Sequence, residues 1–166
     1  EGDVLVLLGT TLGALGQSAL LWELWARAEG EPPRVDLQAE RRAGELVRAL
    51  HRDGRIRAAH DLSDGGLAVA AAEMAFAAGT GVRLEDHGEI APLAWFFGED
   101  QARYLVAAPD EASADAVIEA ARIAGVPARR AGVTGGGEIR LGASAVALSD
   151  LRAAWEQAIP GLMDAG

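Results

Sequence analysis

The stretch that decides the fold is residues 59–78, AHDLSDGGLAVAAAEMAFAA. Residues 56–60 are predicted to form a short strand that leads into it, and residues 67–78 a helix that is apolar on almost every side. A helix of that kind is normally buried. A strand that runs through a glycine turn into a buried helix is typical of a sheet covered by helices.

The turn between this strand and this helix carries the main candidate binding site. Gly65 and Gly66 let the backbone approach a ligand closely, and the free N–H groups of the first helical turn favour an anion. Ser63 adds a hydroxyl donor. Asp61 and Asp64 repel a phosphate unless Mg²⁺ or an arginine intervenes, or unless they bind sugar hydroxyls. In the alternative interpretation, Ser63 or Asp64 caps the helix and the glycines make a tight turn.

Strands and helices alternate along the rest of the chain, which predicts the α/β class with a mixed β-sheet covered by helices. Near the C-terminal end the pattern predicts a small β-meander, with residues 135–137, all glycine, as a hairpin turn. Ser149 or Asp150 is predicted to cap the last helix, which Pro160 breaks. Further strands are predicted at residues 3–9, 82–84, 103–108, 128–134, 138–141 and 144–148, helices at residues 18–28, between Asp36 and Gly54, and at residues 110–124, and either a helical turn or an irregular segment at residues 91–97.

Length and composition limit what this chain does. Its 166 residues fit a single domain, residues 1–166, and half of them are hydrophobic, which excludes a fully disordered chain. The net charge of −10 argues against a nucleic-acid partner, because such binding depends on clustered basic residues. No apolar run is long enough for a membrane helix. The absence of lysine excludes a Schiff base and a Walker-type lysine. The absence of cysteine excludes a thiolate nucleophile and fits the cytoplasm.

Several other side chains have both a functional and a structural interpretation. His60 is a candidate general base, and a loop histidine held by hydrogen bonds is the plainer alternative. Arg103 is a candidate for bidentate phosphate binding or for a salt bridge to Glu99 or Asp100. Glu73 fits a buried acid, the partner of an arginine, or a surface group. The tryptophans either form an aromatic platform for a ligand or pack in the core or at an interface; they are Trp22, Trp25, Trp95 and Trp155.

Residues 59–70, AHDLSDGGLAVA, resemble the signature of the phosphoribosylformylglycinamidine synthase family, in the C-terminal domain type that it shares with aminoimidazole ribonucleotide synthetase. Residues 15–18, LGQS, are similar to that family's Leu-Gly-Gly-Ser turn, with Gln17 in place of a glycine. Residues 97–104, FGEDQARY, look like its FxExxxR segment. The resemblance covers nearly the whole chain, since further matching stretches lie at residues 2–4, 7–10 and 132–135.

The resemblance implies a place in a longer enzyme of purine biosynthesis. The parent is expected to be a cytoplasmic ligase that uses ATP, Mg²⁺ and glutamine-derived ammonia to convert formylglycinamide ribonucleotide to formylglycinamidine ribonucleotide. This chain is expected to be its C-terminal fragment, with no catalytic residue and no metal ligand, and to be inactive alone. Its expected partners are the preceding domains of the parent and a glutaminase domain or subunit.

The resemblance also implies a ligand site. In the family, an earlier copy of this domain type has a Glu-Ser-Gln turn that contacts substrate, and residues 99–101 stand at the matching place here, with Asp100 instead of the serine. The expected role is therefore an auxiliary nucleotide or phosphate site shared with the preceding domain, with a packing role as the alternative. Its lining residues would be Asp61, Ser63, Asp64, Gly65 and Gly66, with Ser18, His60, Gln101 and Arg103 as further candidate contacts.

Two alternatives of other kinds stay open at this point. One is another enzyme of the same fold family, such as a selenophosphate synthetase or a thiamine-phosphate kinase, although residues 60–66 favour the purine enzyme. The other is a noncatalytic module for nucleotide binding or protein interaction. Such a module would use the helix at residues 67–78, or the tryptophan-bearing helix at residues 18–28, as its interface.

Overall fold

A computed structural model describes residues 2–164, so Glu1 and residues 165–166, the ends of the predicted domain, lie outside the described part. The described residues form interleaved strands and helices, as the sequence predicts. In chain order they are β1 (Val4–Leu8), α1 (Ala19–Trp25), α2 (Leu37–Arg52), β2 (Ala58–Asp61), α3 (Gly66–Ala78), β3 (Val82–Leu84), α4 (Pro92–Phe97), β4 (Tyr104–Ala108), α5 (Glu111–Ile123), β5 (Ala128–Thr134), β6 (Glu138–Leu141), β7 (Ser144–Ala147) and α6 (Leu148–Asp164).

The strands form one mixed sheet in the order β2-β4-β1-β5-β3-β6-β7. Neighbouring strands are antiparallel, except that β3 and β6 are parallel. The predicted hairpin at residues 135–137 and the predicted meander are wrong, because β3 lies between β5 and β6. The glycines instead carry the chain past β3, where Gly81 donates to Gly136 and accepts from Gly135 through the backbone.

The core lies on both sides of β1, an interior strand of the sheet that pairs with β4 and β5. Val4, Val6 and Leu8 pack on one face with α2 and α5, and Leu5 and Leu7 pack on the other with α3 and α4. A strand covered on both faces is apolar at every position instead of alternating with polar residues. The uniform apolar run that predicted β1 therefore reflects a sheet sandwiched between helices, which confirms the predicted fold class.

α3 is buried along most of its length, as its apolar composition predicts. Its N-cap is Gly65, whose φ of +78° lies in the left-handed region that glycine adopts without strain. Neither Ser63 nor Asp64 caps the helix, so the predicted local cap is wrong. A Cβ on Gly66 would overlap the carbonyl oxygen of Gly98, so the start of α3 approaches that segment more closely than a side chain permits.

Two helices differ from their predicted bounds. α1 ends at Trp25 and does not reach residue 28, because Ala26 takes a left-handed conformation with φ of +50°. α6 begins before Ser149 and Asp150, so neither residue precedes the helix as its cap, and the helix continues past Pro160. The predicted break at that proline is therefore wrong.

The remaining helices follow the sequence more closely. Asp36 caps α2 as predicted, since its carboxylate accepts from the backbone N–H groups of Gln38 and Ala39. The ambiguous segment at residues 91–97 contains the short helix α4. No helix within the described residues combines the length and the apolar character that crossing a membrane requires.

Candidate functional site

Two helices begin at the same buried carboxylate, that of Glu99. Its Oε1 accepts hydrogen bonds from the backbone N–H of Gly65, just before α3, and of Ala19, the first residue of α1, both at 2.8 Å. Only 8% of Glu99 is exposed. A carboxylate at a helix N-terminus satisfies free N–H groups and interacts favourably with the helix dipole. Glu99 therefore supplies the cap that α3 lacks locally, and it ties the start of α3 to the start of α1.

Asp100 anchors the loop between β1 and α1. Its Oδ2 accepts from the backbone N–H of Leu12 at 3.1 Å and of Gly13 at 2.9 Å, with longer contacts of 3.4 Å from Ala14 to both oxygens. Successive backbone N–H groups that converge in this way form a site for an anion. Here the anion is a side chain of the protein itself, which gives Asp100 a structural role.

Arg103 packs against the acidic turn formed by Glu99 and Asp100, and only 1% of the residue is exposed. Its guanidinium donates to the carbonyl oxygens of Asp100 and Gly98 and to Oγ1 of Thr11. Burial lowers the pKa of the Arg103 guanidinium, and the nearby Asp100 and Glu99 carboxylates oppose that shift. The predicted salt bridge to Asp100 is present at 4.0 Å. Each nitrogen of the guanidinium is therefore engaged within the chain.

In the loop that carries the sequence signature, the glycine N–H groups face inward and the polar side chains face outward. The N–H of Gly65 is bonded to Glu99, and the N–H of Gly66 donates to the carbonyl oxygen of Ser63 at 3.0 Å. Asp61, Ser63 and Asp64 are exposed. A ligand that approaches this loop therefore meets two carboxylates and a hydroxyl, while the two glycine N–H groups are already engaged.

A cavity of about 440 Å³ lies beside this loop and brings several of the predicted site residues together. Asp61, Ser63, Gln101 and Arg103 contribute to its wall, together with Glu40 and Tyr104. The Tyr104 hydroxyl donates to Oε1 of Glu40 at 2.7 Å. Burial, followed by this hydrogen bond, raises the pKa of Tyr104 to about 12. Because the guanidinium of Arg103 is buried and bonded within the chain, the carboxylates of Glu40 and Asp61 are the charges that a ligand meets here. The cavity therefore suits ribose hydroxyls or a ligand that arrives with a cation.

His60 and Ser18 lie apart from this cavity. His60 Nε2 is 3.1 Å from Oε2 of Glu73, and Nδ1 is 2.7 Å from the carbonyl oxygen of Asp61. His60, which lies in β2, is therefore held by neighbouring groups of the chain itself. Glu73 therefore pairs with a histidine and not with an arginine. Ser18 is buried and caps α1 through its hydroxyl, which accepts from the N–H of Leu21.

The described residues contain no group of three or more histidine, aspartate or glutamate side chains arranged to hold a metal ion. Within the described residues, a Mg²⁺ ion beside Asp61 or Asp64 would therefore need further ligands from outside this chain, such as the phosphates of a nucleotide. The structural roles of Glu99 and Asp100 were not predicted from the sequence. The signal that could have indicated them is a pair of consecutive acids beside a glycine, shortly before an arginine and a buried strand.

The sheet, the two helical layers and the glycine turn define an α/β domain of a recognisable class. Residues 1–143 match the family described as "AIR synthase related protein, C-terminal domain", and the chain belongs to that family. Along nearly its whole length it is similar to one particular enzyme, phosphoribosylformylglycinamidine synthase subunit PurL. The resemblance noted in the sequence is thereby confirmed.

Two of these relatives illustrate the extent of the similarity. The PurL of Caulobacter vibrioides is 51% identical over 166 residues, which cover 99% of this chain and 22% of the relative. The PurL of Bradyrhizobium sp. strain BTAi1 is 49% identical over 165 residues, which cover 98% of this chain and 22% of the relative. This chain therefore spans about a fifth of the length of the relatives that it matches.

Solved structures confirm the fold. Thermotoga maritima PurL complexed with FGAR has a TM-score of 0.72 at 18% identity, over 90% of this chain and 28% of that one. The same protein complexed with ATP has a TM-score of 0.69 at 18% identity, over 89% of this chain and 25% of that one. A thiamine-monophosphate kinase from Stenotrophomonas maltophilia has a TM-score of 0.55 at 20% identity, over 86% of this chain and 51% of that one. At such identities the likeness concerns the fold alone.

Proposed function

We propose that this chain is the C-terminal domain of a phosphoribosylformylglycinamidine synthase, an ATP-dependent carbon–nitrogen ligase of purine biosynthesis. The observation that carries the proposal is the identity of about half of all residues to PurL across the whole chain. The kinase alternative is supported only by a lower structural similarity at 20% identity. The fold accommodates both enzymes, so the sequence similarity decides between them.

In the proposed enzyme, ATP phosphorylates the amide oxygen of formylglycinamide ribonucleotide, and ammonia then displaces the phosphate to give the amidine. Catalysis of this kind depends on positioning and on charge stabilisation more than on covalent steps by the protein. This chain supplies no catalytic residue. The proposed parent supplies the catalytic groups and the Mg²⁺ ligands from its preceding domains, and a glutaminase domain or subunit supplies the ammonia.

The local role of this chain is to form one wall of a nucleotide site. The exposed groups of Asp61, Ser63 and Asp64 project from a loop that Glu99 holds in place. Carboxylates and a hydroxyl suit the ribose of a nucleotide, or a cation that accompanies its phosphates. Gly65 and Gly66 both have a positive φ, which determines the path of the loop backbone. Gln101 lines the adjoining cavity. Thermotoga maritima PurL, which shares the fold, is described as complexed with ATP, with ADP and with AMPPCP.

A domain exchange tests this proposal. In the Caulobacter vibrioides PurL, the 22% of the chain that matches is replaced by the present sequence, and ATP- and ammonia-dependent amidination is measured. We expect the chimera to be active and the isolated chain to be inactive. The matched control carries the corresponding domain of the Stenotrophomonas maltophilia kinase, which has the fold without the sequence similarity, and we expect it to be inactive. An inactive first chimera that unfolds cooperatively on heating would contradict the proposal.

A further inference from the structure

α1 presents two tryptophans to solvent. Within this helix, Leu20 is the buried residue. Trp22 and Trp25 are 61% and 50% exposed, and at 100° per residue they lie on the side opposite Leu20. Exposed large aromatic side chains that occur together are unusual on a surface that faces only water. Trp22 and Trp25 are called the tryptophan face below.

The tryptophan face is held in a fixed position by the backbone around it. The N–H of Ala19, at the start of the helix, is bonded to Glu99. The segment after the helix folds back onto Gln17, which precedes the helix. The backbone N–H of Gln17 donates to the carbonyl oxygen of Glu29 at 2.9 Å, and the side-chain amide of Gln17 donates to the carbonyl oxygen of Gly30 at 3.0 Å. A surface that is ordered before binding loses little conformational entropy when a partner docks.

The chemistry of this face fits a protein surface. Tryptophan is among the residues that contribute most to binding when a partner covers them. A second copy of this chain is disfavoured, because each copy carries a net charge of −10 and the two would repel one another. The relatives at about 50% identity are several times longer than this chain, so a large body of protein accompanies this domain in them.

We infer that the tryptophan face is the surface on which the rest of the parent synthase docks. This inference rests on the proposed function and adds a defined contact to it. α1 and α3 begin at the same carboxylate, and a helix of seven residues is only about 10 Å long. A body that covers Trp22 and Trp25 therefore also lies close to the loop of Asp61, Ser63 and Asp64.

Radical footprinting of the chimera and of the isolated chain tests this inference directly. The oxidation rate of each tryptophan is read from its own peptide. We expect Trp22 and Trp25 to be oxidised several-fold more slowly in the chimera than in the isolated chain. Trp95, which is fully buried, is oxidised slowly in both and serves as the internal reference.

A pair of variants separates docking from folding. Trp22→Ser with Trp25→Ser, placed in the chimera, should make the domain more accessible to limited proteolysis, while the isolated chain keeps its melting temperature because both side chains are exposed. The matched control is Ile123→Ser, which changes an apolar side chain at the end of α5 that is 73% exposed, and it should leave proteolysis as it was.

Two results would overturn the inference. One is equal oxidation of Trp22 and Trp25 in the chimera and in the isolated chain. The other is protection of both residues in the isolated chain that increases with its concentration, which would identify a second copy as the partner. An active chimera without protection contradicts only the inference, whereas an inactive chimera with protection contradicts only the proposed function.

Discussion

The carboxylate of Glu99 lies 2.8 Å from the backbone N–H of Gly65, across 34 residues of sequence. Through this bond, the loop with the sequence signature is fixed to the acidic turn before β4. The same oxygen holds Ala19, so the starts of two helices and one ligand loop share a single buried acceptor. The backbone that carries the side chains of Asp61, Ser63 and Asp64 is therefore held in place by the fold and not by a ligand.

Replacing Glu99 with glutamine keeps its shape and removes its charge. We expect the free energy of unfolding to fall by about 1–3 kcal/mol, because a charged acceptor at two helix N-termini becomes a neutral one. Urea unfolding followed by circular dichroism measures the change. Glu119→Gln removes an exposed carboxylate that pairs with Arg122, and this control should leave stability unchanged. Similar effects of the two substitutions would contradict the capping role of Glu99.

Replacing Gly66 with alanine tests the close approach at the start of α3. The φ of Gly66 is +62°, and its Cβ would overlap the carbonyl oxygen of Gly98. The matched control is Gly54→Ala, where φ is +68° and no atom lies near the added methyl group. We expect a loss of about 1 kcal/mol for the control, from the backbone conformation alone, and of about 3 kcal/mol or more for Gly66→Ala. Equal losses in urea unfolding would mean that α3 starts farther from Gly98.

Removing the two exposed carboxylates of the loop tests the nucleotide wall. In the chimera, Asp61→Ala with Asp64→Ala should raise the KM for ATP about tenfold or more, since contacts to ribose or to a bound cation are lost. The melting temperature of the isolated chain should not change, because both side chains are exposed. Asp53→Ala alters another exposed aspartate, after α2, and should leave the KM as it was. An unchanged KM in the double variant would assign the loop a packing role.

Alkaline titration tests the burial of Tyr104. Burial and then the bond to Glu40 raise the pKa of Tyr104 from 10.0 to about 12. Because the chain has no other tyrosine and no lysine or cysteine, tyrosinate absorbance reports on this group alone. We expect the transition near pH 12 in the folded chain and near pH 10 in denaturant.

The same shift has a consequence for stability. The folded pKa of Tyr104 is higher than the unfolded pKa, so its stabilising contribution is complete below pH 10 and is lost as the pH rises through about 12. Glu40→Gln should lower the folded pKa of Tyr104, since it removes the charged acceptor. A tyrosinate transition near pH 10 in the folded chain would contradict the burial of Tyr104 and its hydrogen bond to Glu40.

The sequence predicts the elements whose pattern is determined locally. β1 is an apolar run between turn residues, and α2 has both an amphipathic pattern and its own cap at Asp36. The signature loop was also placed correctly between a strand and a buried helix. In these cases the residues that determine the element lie within it or next to it.

The errors arise where distant residues determine the structure. Three glycines between two strands favour a hairpin, but the insertion of β3 between β5 and β6 depends on a segment about 50 residues earlier. Ser63 and Asp64 are good local caps for α3, yet the acceptor is Glu99, which no local rule connects to Gly65. The candidate site was predicted from the residues of the turn and from a resemblance, and only the fold shows which of its groups face solvent.

The measurement that tests the central claim most directly is the rate of ATP- and ammonia-dependent amidination by the Caulobacter chimera. If this chain is a working domain of the synthase, the kcat/KM of the chimera should lie within about tenfold of that of the unmodified enzyme. A folded chimera with no more activity than the same enzyme lacking this domain would contradict the claim.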